Sequence, residues 1–73
     1  MERKAELLKK FGRQLAALRK EKHVSVRELA AAADLSCRKV EDIEAGKVNL
    51  LFTTILALAR ALEVSPEELL QSL

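Results

Sequence analysis

VRELAAAADLSCRKVEDIEA, residues 26–45, is the stretch that decides the fold. Its apolar and small residues are Leu29, Ala30, Ala33, Leu35, Val40 and Ile43, set at helical steps on either side of a short polar break. That pattern predicts two short helices crossing at close range, where Ala30 is as telling as the leucines because a large side chain would hold the backbones apart. Ser25 opens the first of them, and Glu28 three residues on completes a capping box. Asp34 falls in the turn, where a left-handed backbone is expected; Asp tolerates this better than most residues, though Gly does so more easily. Ser36 caps the second helix, and Gly46 stops it as a C′ residue. Val40 and Ile43 of that helix face inward, so Cys37, Arg38, Lys39, Glu41 and Asp42 form its outward face.

Outward from this centre the chain continues as helices. Residues 3–22 carry Leu8, Phe11, Leu15 and Leu18 on one stripe, and His23 and Val24 connect this first helix to the second. After the central pair, residues 47–51 form a loop. A fourth helix follows with Phe52, Ile55, Ala59 and Leu62 on its expected buried side. Ser65-Pro66-Glu67-Glu68 then joins an N-cap, a proline at N1 and acids in the first turn, a start signal for a last helix over residues 66–71. Five helices with no strand signal and no linker predict an all-α, compact five-helix bundle, one domain over residues 1–73.

The bulk numbers narrow the function classes. The chain has 73 residues with an apolar share of 49%, a globular composition too short for a second core. One cysteine forms no internal disulfide, and with one histidine it builds no tetrahedral zinc site. The longest apolar stretch, residues 50–59, is too short for a bilayer, and MERKAELLKK lacks the apolar segment of a secretory signal. A soluble cytoplasmic protein is the expectation. Net charge is +2, but residues 1–27 hold nine basic groups against three acids, so that segment is +6 and the remainder −4. A basic half suits a polyanion, because neutralising phosphates releases counterions; it also suits a merely solvated helix face.

A rigid helix presented outward on such a frame most often enters a DNA major groove. Here the chain resembles the Cro/lambda-repressor helix-turn-helix domains, also called the xenobiotic-response-element family. The likeness rests on FGRQLAALRKEK, VSVRELAAAADLS, VEDIEAGKVN and ALARALEVSPEEL, which follow in order and spacing over residues 11–70. It implies a lambda-repressor-like bundle with a helix-turn-helix motif over residues 26–45 and a recognition helix over 36–45. It further implies sequence-specific binding of double-stranded DNA, as a homodimer on a palindromic operator. By position, Ser36, Cys37, Arg38 and Glu41 align with residues facing bases or adjacent phosphates, and Lys39 shares their surface. Ser25 aligns with a phosphate contact, and Lys47, Val48 and Asn49 with the loop that touches the DNA backbone. The chain departs from the family in several places: Val26 stands where glutamine is usual, Asp34 replaces a turn glycine, and Leu51 replaces a capping serine. His23 stands where the family often has glycine.

Arg38 is the expected base reader, since its fork fits guanine O6 and N7; the bland alternative is a surface ion pair with Asp42 four residues on. Glu41 can accept from cytosine N4. Asp42 has no such partner, and together with Glu44 it raises the acids of this helix to three. Cys37 reads as a small groove-facing side chain, because a redox role would call for a resolving cysteine. Leu50, Leu51, Leu56, Leu70 and Leu73 exceed what a small bundle hides, and Leu51, Leu56, Leu70 and Leu73 are the expected dimer patch. Catalysis finds no paired Ser and His, no metal-ligand spacing and no glycine-rich loop; no cofactor or small-molecule ligand is indicated. With Phe11 and Phe52 both assigned to buried stripes, stacking on single strands is disfavoured. The alternative function keeps the frame but turns its acidic face to a protein, as an antitoxin-like or assembly module with weak or no DNA binding.

Overall fold

The computed structural model describes residues 2–71 and 73. Among the described residues five helices follow one another: α1 (Glu2–Glu21), α2 (Val26–Ala33), α3 (Cys37–Glu44), α4 (Phe52–Leu62) and α5 (Pro66–Leu69). The capping residues read from the sequence act as caps. The Ser25 hydroxyl accepts from the Glu28 N–H at 3.0 Å, while the Glu28 carboxylate accepts from the Ser25 N–H at 2.9 Å. Ser65 and Glu68 repeat the box at the start of α5, and Ser36 accepts from the Lys39 N–H at 3.0 Å. Leu51, in the cap position of α4, offers no side-chain oxygen, and that helix starts uncapped.

α1 to α4 end by one device. One or two residues past each, the backbone enters the left-handed region: His23 (φ 60°), Asp34 (φ 60°), Gly46 (φ 73°) and Glu63 (φ 59°). The next N–H then reaches back to a carbonyl five residues earlier, as in Val24 to Arg19, Leu35 to Ala30, Lys47 to Asp42 and Val64 to Ala59. Val24, Leu35 and Val64 thereby turn onto the core, and their burial holds three side-chain-bearing residues in a conformation that suits glycine better. Gly46 differs, because a Cβ there would also stand 2.9 Å from the Lys9 Cα.

One core takes side chains from every helix: Phe11 and Leu15, Leu29, Ala30 and Ala33, Val40 and Ile43, Leu58, Ala59 and Leu62, and Leu69. Its radius of gyration, 11.0 Å, is that of a tightly folded chain of this length, for which about 11 Å is expected. Packing is close where α1 crosses α3. A Cβ on Gly12 would lie 2.3 Å from the Glu44 carbonyl oxygen and 2.6 Å from that of Ile43, so only glycine permits this crossing. Gln14 ties α1 to α5 by donating to the Glu68 carbonyl at 3.0 Å.

The structure corrects two expectations about the elements. Phe52 is 71% exposed, not part of the buried stripe, which is Leu58, Ala59 and Leu62 in the second half of α4. The first turn of α4 runs past the core and leaves Leu51 exposed as well. α5 stops at Leu69, short of residue 71, because the Leu70 N–H is shared between the Pro66 and Glu67 carbonyls and tightens the last turn.

A candidate nucleic-acid interface

α3 has eight residues, a rod of about 12 Å, comparable with the width of the B-DNA major groove. Its inner side is Val40 and Ile43, both buried. Its outer side carries Cys37, Arg38 and Glu41, all exposed, with Lys39 and Asp42 half-buried beside them. Ser36 stands exposed at its start, and Lys47 and Asn49 are exposed in the loop beyond its end, with Val48 half-buried between them. Ser25 is exposed at the start of α2, which packs on α3. Both serine oxygens accept from the backbone, so each hydroxyl proton stays available to a phosphate, next to first-turn N–H groups that lack intrahelical partners. Val26, beside Ser25, is half-buried against the core.

Glu44 does not join the outward acids. Its carboxylate turns back to Arg19 on α1, accepting from Nε at 2.7 Å and from Nη2 at 3.1 Å. The two side chains are 11% and 13% exposed. Arg19 Nη1 also donates to the Val24 carbonyl at 3.0 Å, so one guanidinium joins α1, the turn before α2, and α3. Hydrogen bonding to Glu44 raises the Arg19 pKa further above its ordinary value, against the opposing pull of burial, and the Glu44 charge adds to the rise. With Glu44 withdrawn, the outward face of α3 carries Arg38 and Lys39 against Glu41 and Asp42. Asp42 is itself engaged: its Oδ2 lies 3.8 Å from Arg38 Nε, one helical turn away.

Sequence patterning missed Arg19, although the signal was present. Arg19 continues the Phe11–Leu15 stripe at the next four-residue step, and Glu44 stands four residues after Val40. Opposite charges that each extend a buried stripe are candidates to meet.

The residues assigned to a dimer patch separate by exposure. Leu51, Leu70 and Leu73 are exposed, at 68%, 37% and 53%. Leu56 is half-buried and lines a shallow groove with Ala59, Arg60, Val64 and Pro66. Phe52 adds to this apolar surface where it had been assigned to the core. Among the described residues, no helix is long and apolar enough to cross a membrane, and no three of His, Cys, Asp and Glu are grouped to hold a metal.

A helix held from behind by α1 and offered outward by α2 defines a helix-turn-helix domain, and the comparisons agree. The helix-turn-helix domain family matches residues 10–72, so the chain belongs to that family, in its Cro/lambda-repressor-like class. Among solved structures, it is similar to the restriction-modification controller protein C.AhdI from Aeromonas hydrophila. The two are 40% identical with a TM-score of 0.83, over 85% of this chain and 94% of that one. It is also similar to the clp gene regulator ClgR from C. glutamicum, at 27% identity and a TM-score of 0.87, over 90% of this chain and 86% of that one. No curated protein sequence matches the chain.

Proposed function

We propose that this protein is a small, non-enzymatic transcriptional regulator that binds double-stranded DNA in a sequence-specific way. It acts as a homodimer in the cytoplasm and lays α3 in successive major grooves of a palindromic operator. The observation that carries this is the exposed Ser36-to-Glu41 face of α3 on a helix whose opposite side is locked to the core and to Arg19. Arg38 is the base reader, Glu41 accepts from a cytosine amine, and Ser25, Ser36, Lys39, Lys47 and Asn49 address phosphates. Cys37 faces the groove as a small side chain. The surplus charge of residues 1–27 supplies long-range attraction to the duplex. Likeness to a restriction-modification controller and to a gene regulator supports the same role.

Leu51, Leu56, Leu70 and Leu73, joined by Phe52, form the two-fold patch, and the half-sites lie about one helical turn apart. The test is selection of bound sequences from random duplex, followed by affinities across a salt series. An enriched palindrome and a steep salt dependence are expected. Arg38→Ala should cost about 1–3 kcal/mol on the selected site and relax one base pair per half-site. Lys47→Ala should weaken all sequences alike and reduce the salt slope by about one. A second reading, docking of the same frame to a protein, draws on the half-buried Val26 and the neighbouring acids Glu41 and Asp42. Absent or salt-independent DNA binding without an enriched site would favour it.

A further inference from the structure

We propose that Asp42 is a specificity-determining residue, which holds Arg38 as a base reader and keeps it from acting as a general phosphate binder. This rests on α3 being the DNA-reading helix. An acid on that helix is otherwise unaccounted for, because Glu44 faces Arg19 and Glu41 can accept from a cytosine amine.

The geometry gives Asp42 a different task. Its carboxylate is 30% exposed, settled against the body of the protein, whereas the Arg38 side chain is 85% exposed and projects outward. The approach is to Nε, the inner edge of the guanidinium, at 3.8 Å. That is an ion pair and too long for a hydrogen bond, so it steers the group without saturating its donors. The two terminal nitrogens stay free to form the parallel pair of bonds that guanine O6 and N7 accept.

Two consequences separate specific from general binding. Narrowing the positions open to Arg38 before contact reduces the ordering entropy lost when it docks on a base. A fixed negative charge beside the guanidinium also lowers its attraction to any phosphate, and repels a backbone that approaches without a matching base. General affinity falls more than operator affinity, and their ratio widens. The pair is solvent-exposed on its arginine side and contributes little to folding, so its removal reads out on binding.

The experiment compares wild type, Asp42→Ala, Asp42→Glu and the double variant Arg38→Ala/Asp42→Ala on the selected operator and on random duplex. For Asp42→Ala, random-duplex affinity should rise about 3- to 10-fold, with a salt slope steeper by about one, because one more positive charge meets phosphates. Operator affinity should hold or fall, so the specificity ratio drops roughly tenfold. Asp42→Glu should recover part of the ratio by restoring a carboxylate four residues from Arg38. In the double variant the loss of discrimination should match that of Arg38→Ala alone. An equal shift on both duplexes in Asp42→Ala, with wild type preferring its operator, would overturn this proposal only. A wild type with no preferred duplex would overturn the reading of α3 and this proposal together.

Discussion

Replacing Arg19 by alanine should be among the most damaging single changes in this chain, and worse than replacing its partner Glu44. Arg19 makes three hydrogen bonds, two to the Glu44 carboxylate and one to the Val24 carbonyl, with its side chain 11% exposed. Without it, the Glu44 carboxylate loses both donors while still largely out of water, the Val24 carbonyl loses its donor, and the packed arginine stem is gone. Truncating one member of a buried pair costs about 3–5 kcal/mol, and the residual exposure brings the expectation to roughly 2–4 kcal/mol. A domain of this length has about 4–11 kcal/mol in all, so the melting temperature should fall by roughly 10–25 °C. Glu44→Ala should cost less, since Arg19 retains Val24 and can reach water. Arg19→Met with Glu44→Leu should recover much of the loss, because an apolar pair of similar volume leaves no stranded charge. The assay is thermal and urea unfolding of wild type, the two alanine variants, the alanine double Arg19→Ala/Glu44→Ala that closes the mutant cycle, and the Met/Leu double variant. Additivity of the alanine changes to within about 0.5 kcal/mol would refute the coupling. A larger loss for Glu44→Ala than for Arg19→Ala would refute the asymmetry. The raised pKa of Arg19 sets the sign of its pH dependence. Its stabilising contribution is complete below the ordinary arginine value and is lost only as pH climbs through the raised one. Deprotonation of Arg19 should therefore not weaken the pair at any pH below about 10.

Gly12→Ala should destabilise by about 3 kcal/mol or more, since the clash is with backbone carbonyls that cannot step aside; an unchanged urea midpoint would show that α1 and α3 can separate freely. Glu63→Gly should raise stability by about 0.5–1 kcal/mol by relieving a left-handed residue, and a lower melting temperature would contradict that account. Phe52→Ser and Leu56→Glu should each convert a dimer to a monomer in sedimentation; a wild-type monomer at micromolar concentration would remove the patch from the proposed function.

The parts of this fold that were legible from residue order are those decided within one turn of chain. Ser25 with Glu28, Ser36, Asp34, Gly46 and the Ser65–Glu68 box all act on backbone groups at most a few residues away. Helical periodicity likewise gave Phe11, Leu15, Leu29, Val40, Ile43 and Leu62 as inward. What escaped depends on where separate helices meet. Phe52 satisfies the period of α4 but stands at its first residue, past the end of the core. Glu44 and Arg19 each extend a buried stripe, but that they meet depends on how α1 crosses α3, with 25 positions of chain between them. Gly12 offered a clue: glycine inside a helix costs about 1 kcal/mol relative to alanine, which calls for a packing reason. That Cys37, Arg38 and Glu41 are exposed was legible as well, because exposed positions on a capped helix follow from its buried ones.

The division of α3 into two faces bears on how such a protein diverges. Val40, Ile43 and Glu44 belong to the core and to Arg19, whereas Cys37, Arg38 and Glu41 are exposed and sustain no part of it. Substitutions at the outer positions should shift stability by only about 0.5 kcal/mol either way. A duplicated copy could therefore explore new surface chemistry one residue at a time while every intermediate still folds. Inheritance can hold the inner face constant and leave the outer face open to selection.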